Sequence, residues 1–525
     1  MELISLQYAA FVLVSVLLYY IIPKKYRWIV LLAGSMFYYV YVCKFYVFFI
    51  VFTIISTYTF ARLIESHLLN EKAIVKEHKE DWDRKERKAY KAKGRKKRAA
   101  LLIVGLILNF GILGLLKYVP LMSELGILLP LGISFYTFQS MGYLIDVYRE
   151  KTESEKNIFR FALFVSFFPQ IIQGPIAVYD DLAKQLYKGH SFNIENIKKG
   201  LMLILWGAMK KMVIADRALP FVNLITADSE SFSGSYILFS VILYALQLYC
   251  DFSGGIDIIR GVAELFGITM AENFRRPYFS RSLTEYWHRW HITLGNWCRN
   301  YIFYPLSISK KFLNFGKWLK PKFGKHIAKV FPGCIASLLT FLVIGIWHGS
   351  NLKYVYFGLW NGVVIMLSEL FAPVNEKIAD KFFGVTKLKK NGVFSVIVSV
   401  LWTFILVLVG YYFDVAQGPM DAFSMLWRSI VDFHITDFAF SDFMELWNQA
   451  TLNIYDFYIL LIGTIGLFFI SLYKEKKKCE DLRPRILSLK TGRKFLIIAL
   501  GMIILVMFGY YGTGISPADF VYMQF

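Results

Sequence analysis

Three of the eight histidines fall in two short stretches where groups able to exchange a proton near neutral pH meet an unusual density of aromatic rings. The first runs from Arg281 to Leu306. It sets Glu285, His288, Arg289, His291, Asn296 and Arg299 among Trp287, Trp290, Leu294 and Trp297. These apolar positions recur at helical spacing and predict an aromatic stripe. His288 and His291, three apart, would then share a helix face. Such a helix can equally be an interfacial one, with an aromatic belt and snorkelling basic residues. The second stretch is Gly345-Ile346-Trp347-His348-Gly349-Ser350-Asn351, in which a lone histidine closes an apolar run between glycines. By residue type alone it reads as well as a satisfied core histidine or an interfacial one. The chain ends Ala518-Asp519-Phe520-Val521-Tyr522-Met523-Gln524-Phe525, which by itself suits an aromatic anchor at a membrane surface.

The elements that must position these groups are membrane helices. Of 525 residues, 56% are hydrophobic and only 18% charged, with a mean hydropathy of +0.47, outside the usual soluble range. A soluble fold could not hide 48 Phe, 33 Tyr and 12 Trp without large exposed apolar patches. Candidate spans lie near 5–22, 28–42, 45–63, 99–116, 124–145, 158–177, 198–216, 233–250, 328–347, 353–371, 393–413, 456–473 and 495–512. Allowing for re-entrant and interfacial pieces, the expectation is an all-α polytopic protein with about 11–13 transmembrane helices. The first run has basic residues behind it and not ahead of it, so it is expected to be a retained helix and not a signal peptide.

The net charge of +21 sits in short loops between apolar runs, the pattern of topology signals and lipid-headgroup contact, and argues against nucleic acid as a partner. Basic groups at Lys24–Arg27, Lys72–Arg98, Lys310–Lys329, Lys387/Lys389/Lys390 and Lys474–Lys494 agree with one orientation, with both termini outside the cell. The agreement requires a crossing missed between 251 and 309, or a re-entrant piece counted as a span before it. Cys43, Cys250, Cys298, Cys334 and Cys479 have neither metal-ligand nor redox spacing. No metal and no bound cofactor is expected.

The two histidine segments resemble the membrane-bound O-acyltransferase family, in particular its bacterial branch with the alginate O-acetylation membrane subunit and the teichoic-acid D-alanyl transferase. Trp287-His288-Arg289-Trp290-His291 is similar to the family's Trp-x-x-Trp-His helix, and Trp347-His348-Gly349 to its later Trp-His-Gly segment. Pro130–Gln139 with Tyr143–Arg149, Phe168-Pro169-Gln170 with Gly174-Pro175-Ile176, and Tyr249–Gly254 resemble further family segments in the same order. The likeness covers most of 1–415. It implies a membrane domain over 1–473 with a motif core at 128–371, followed by a cytoplasmic basic loop at 474–494. A final helix and an extracytoplasmic tail complete the chain over 495–525.

The resemblance implies that His348 is the principal catalytic histidine and His291 the second. A neutral imidazole can take the proton of an acceptor hydroxyl during attack on a thioester. Trp287, Trp290, Asn296 and Trp347 are the expected substrate-binding residues, Asn296 or backbone amides steadying an oxyanion. His288 stands where relatives often carry Arg, and Asn361 where many carry His. Many bacterial relatives end in a tail like this one, which points to Tyr522 as a transient acyl acceptor. The implied function is transfer of an acyl group, most simply acetyl from acetyl-CoA, to an extracytoplasmic polysaccharide at the plasma membrane, with a partner resembling SGNH hydrolases. D-alanyl transfer from a carrier protein to teichoic acid, and a transporter or flippase without chemistry, are the alternatives.

Overall fold

The computed structural model describes residues 2–126, 129–386, 389, 392–511 and 520. Among these the protein is helical, without strands, and its contacts divide it into two units. Unit 1 comprises residues 1–204 and 259–271, and unit 2 residues 205–258 and 272–525.

Unit 1 contains α1 (Leu6–Ile21), α2 (Arg27–Cys43), α3 (Val47–Glu77), α4 (Arg84–Tyr118), α5 (Pro120–Glu124), α6 (Ile133–Tyr148), α7 (Ile158–Ser166), α8 (Phe168–Gln173) and α9 (Tyr179–Lys188). α3 and α4, with 31 and 35 residues, reach about 46 and 52 Å at 1.5 Å per residue, well beyond a bilayer core. The basic segment 72–98 is therefore the helical end of this pair. Asp83 and Glu86 form a capping box that starts α4 (2.6 and 2.9 Å), and a buried Glu71–Arg98 ion pair ties the two helices. The two early family-like segments meet here. Gly132 has φ +70°, and a Cβ on it would stand 2.0 Å from the Ile171 carbonyl oxygen, so only glycine fits. Gln170 donates to Gln139, which in turn donates to Phe164 O at 2.6 Å.

α10 (Ile194–Met209) leads from unit 1 into unit 2, where it runs through a π-helical turn, Lys210–Ala215, into α11 (Asp216–Ala227). α12 (Gly234–Leu265) returns to unit 1. The rest of unit 2 begins with the short α13 (Leu283–Arg289), α14 (Ile292–Cys298) and α15 (Tyr304–Ser307). The long helices α16 (Lys310–His348) and α17 (Leu352–Leu370) follow, then α18 (Ala372–Thr386), α19 (Val393–Val415), α20 (Pro419–Val431), α21 (Phe440–Gln449), α22 (Ile454–Lys477), α23 (Arg483–Leu487) and α24 (Thr491–Phe508).

Among the described residues, seven segments are long and apolar enough to cross a membrane: Lys24–Glu77, which holds both α2 and α3, then α4, α12, α16, α19, α22 and α24. An eighth is α17 with the start of α18, if that pair, bent by 65°, counts as one. The remaining expected spans are shorter or broken. The 158–177 run divides at Phe167, and α6 starts only at Ile133, after its glycine turn. Between 251 and 309 no second long helix follows α12; the chain there forms the short helices that carry the site. Lys387, Lys390 and most of the C-terminal tail lie outside the described residues.

Candidate active site

All residues of the candidate site that the structure describes belong to unit 2. His348 is the last residue of α16 and is buried (7% exposed). Its height is fixed by how closely α16 and α17 approach. A Cβ on Gly345 would lie 2.3 Å from Tyr354 O, and one on Gly358 2.4 Å from Phe341 O, so the two backbones touch where any side chain would part them. Asn351 caps α17 by accepting from Lys353 N at 3.0 Å, which closes the hairpin directly after His348. The imidazole lies against Tyr354 (6.1 Å, near-parallel) and Phe357 (5.4 Å). Alanine at Gly358 is expected to force the helices apart at a cost of about 1–3 kcal/mol. A lower melting temperature in detergent would show it.

His291 lies at a break in its helix. It adopts φ +43°, ψ +52°, the left-handed region that costs a non-glycine residue about 1 kcal/mol or more. α13 therefore stops before it and α14 starts after it. This corrects the expectation that His288 and His291 share a face: the left-handed turn breaks the helical phase, leaving His288 exposed and His291 2% exposed. The aromatic residues likewise do not form an interfacial belt. Trp290 and Trp297 are buried, and Trp290 sits among Tyr286, Phe274 and Tyr249.

Asn273, not singled out by the sequence, holds this turn. Its carbonyl Oδ1 accepts from Thr293 N (3.0 Å) and Thr293 Oγ1 (2.9 Å), and lies 3.3 Å from His291 Nδ1. Its backbone carbonyl accepts from Ile292 N at 3.0 Å. A backbone N–H can only donate, so the Asn273 atom facing Thr293 is its oxygen. The His291 nitrogen facing that same oxygen must then carry a proton, which leaves the lone pair on Nε2. Phe252 of α12 stands edge-on to the imidazole at 4.9 Å.

Trp347 brings the two histidines together. Its ring centroid is 5.0 Å from His348 and 6.1 Å from His291. Trp287 donates from Nε1 to Asn361 Oδ1 at 2.9 Å, and Asn361 Nδ2 donates to Phe357 O at 2.9 Å. Asn361 thus links α13 to the helix packed on His348. Asn296 accepts from Arg299 on the next turn of its own helical segment. Tyr522 lies outside the described residues.

Charged groups flank this centre. Lys210 and Lys211, side by side on the π-helical turn, pair with acids six residues apart on α12: Lys210 with Asp257 (2.8 Å) and Lys211 with Asp251 (2.6 Å). Three consecutive residues of the Tyr249–Gly254 segment therefore do separate work. Asp251 holds Lys211, Phe252 supports His291, and Ser253 accepts from Lys210 at 2.8 Å. Arg276 and Arg289 bind Glu475 (2.7 and 3.0 Å), and Arg276 also binds Glu480 (2.6 Å). The hydrogen bonds from Arg276 hold the Glu480 carboxyl below the usual range. The loop carrying the histidine turn is thereby tied to the end of α22.

The model of the membrane-bound O-acyltransferase family matches residues 151–320, a range that includes His291 and ends before His348. A probable alginate O-acetylase of Pseudomonas aeruginosa is 30% identical over 389 residues, 71% of this chain and 66% of that protein. A peptidoglycan O-acetyltransferase of Helicobacter pylori is 30% identical over 53% of this chain and 56% of that protein. A teichoic acid D-alanyltransferase of Bacillus subtilis is 27% identical over 54% of this chain and 67% of that protein. The chain spans about half the length of the probable alginate O-acetylases of other bacteria, 51% in Pseudomonas syringae.

Proposed function

We propose that this chain, which belongs to the membrane-bound O-acyltransferase family, takes an acetyl group from a cytoplasmic thioester and passes it across the membrane for O-acetylation of an extracytoplasmic polysaccharide. The observation that carries this reading is the pair of buried imidazoles, from separate elements, packed against one indole. Two histidines built into a protein interior in this way suit proton transfer better than they suit packing.

In the proposed reaction the Tyr522 phenol oxygen attacks the thioester carbonyl and His348 takes the phenol proton. The C–S bond breaks and the thiol leaves with a proton. His291, presenting Nε2, is the second proton site through which that proton is returned. The resulting aryl ester is more reactive than an alkyl ester and can give up its acetyl group to a glycan hydroxyl, through an extracytoplasmic partner resembling SGNH hydrolases. Acetyl-CoA is the proposed donor, and both termini are proposed to face outward.

Incubation of membranes with labelled acetyl-CoA, followed by mass spectrometry of the C-terminal peptide, tests this. Label is expected on Tyr522 and absent from Tyr522→Phe. Label that persists elsewhere on the tail in Tyr522→Phe, or appears only when a D-alanyl-charged carrier protein replaces acetyl-CoA, would overturn the relay or the donor respectively.

A further inference from the structure

A single residue of the C-terminal tail, Phe520, is both described and buried (4% exposed). Its ring lies over the Lys211 ammonium, 4.5 Å from nitrogen to centroid. Lys211 is itself only 2% exposed and is gripped by Asp251 at 2.6 Å and Asp216 at 2.8 Å. The ring covers one face of this buried ammonium, the geometry in which an aromatic quadrupole attracts a cation strongly because water is excluded.

Local structure explains how this cation is placed. In a π-helical turn one extra residue is accommodated, and such turns concentrate at functional sites. Here the turn begins with Lys210 and Lys211, and both lysines reach α12. Asp251, which holds Lys211, is followed by Phe252, which supports the His291 ring. Adjacent Cα atoms are about 3.8 Å apart. The residue that holds Lys211, on which Phe520 rests, and the residue that supports His291 are thus consecutive on one helix.

We infer that the Lys211 ammonium, clamped by Asp216 and Asp251, is a docking site for the Phe520 ring, and that this contact anchors the C-terminal tail beside the part of α12 that supports His291. Phe520 and Lys211 are positioning residues. The consequence for transfer rests on the proposed relay at Tyr522, two residues along the chain from Phe520; the docking does not depend on it.

Two readouts on the full-length protein separate these points. The first is carboxypeptidase trimming of the detergent-solubilised chain, followed by intact mass, which reads docking without chemistry. Phe520→Leu keeps an apolar side chain but removes the ring, and is expected to be trimmed about tenfold faster than the parent protein. Phe520→Trp, which restores a π face, is expected to resist trimming as the parent does. The second is the rate of label uptake at Tyr522, expected to fall by a similar factor in Phe520→Leu with an unchanged KM for acetyl-CoA. If Phe520→Leu is trimmed at the parent rate, the anchor is overturned whatever the labelling shows. If trimming accelerates while Tyr522 is unlabelled even in the parent, the anchor stands and the relay falls.

Discussion

Alanine at His348 is expected to slow acetyl transfer by about 10²–10⁴-fold, the usual worth of a positioned general base, while the protein still folds and inserts. His348 lies at the end of α16, and the close backbone approach of α16 and α17 is made by Gly345 and Gly358 and not by its side chain. Glutamine is the sharper substitution. It fills much of the same space between Tyr354 and Phe357 but cannot hold a proton in transit, so it should be as inactive as alanine. Alanine at His291 should cost a comparable factor. The double variant should be little worse than either single one, because groups that act as a unit do not contribute additively. The measurement is the initial rate of thiol release from acetyl-CoA in proteoliposomes. If His348→Gln retained more than a tenth of the parent rate, His348 would not be the principal base.

The helical class and the family were legible in the sequence, as were the two segments whose histidines the structure packs against Trp347, because each rests on local pattern: hydropathy windows, and motifs within a dozen residues. The sequence revealed less where the deciding contact is distant along the chain. Asn273 is eighteen residues from His291, and nothing in the intervening sequence connects them. Asn361 was visible only as a departure from relatives, yet it holds Trp287 seventy-four residues away. The 283–298 segment keeps helical apolar spacing through residues that do not form one helix, since the left-handed turn at His291 is imposed by the Asn273 bonds and not by any glycine or proline there. Periodicity could not report that break. The start of α4 went unread as well: Asp83 and Glu86 form a capping box inside a segment that presents itself in the sequence only as a basic stretch before a span near 99–116.

The site therefore has two kinds of support with different tolerance to change. His348 is fixed by backbone contact between two long helices, which any added atom disturbs. His291 is held by side-chain bonds to a strained turn, which one substitution can remove. Strained residues persist at functional positions only when their surroundings over-determine them, and three hydrogen bonds onto one carbonyl oxygen do so here.

Leucine at Asn273 should consequently be among the most damaging single changes outside the histidines. It keeps asparagine's branching and number of heavy atoms, but the buried Thr293 N–H and Oγ1 lose their acceptor and His291 loses the bond that fixes its proton on Nδ1. Each buried donor left unsatisfied costs about 1–3 kcal/mol. The turn can relieve that cost by leaving the left-handed region, which swings the imidazole away from Trp347. The expected result is a fall in kcat of about 100-fold, the effect of misplacing a reacting group by roughly 1 Å, with little change in the KM for acetyl-CoA. Asn273→Asp keeps an acceptor oxygen where Thr293 and His291 need one and should recover much of the lost rate. A purely structural asparagine would behave otherwise: both variants would lose folded protein in parallel, and the folded fraction of each would turn over normally. Equal kcat values for the parent and the folded Asn273→Leu protein would remove Asn273 from the catalytic arrangement.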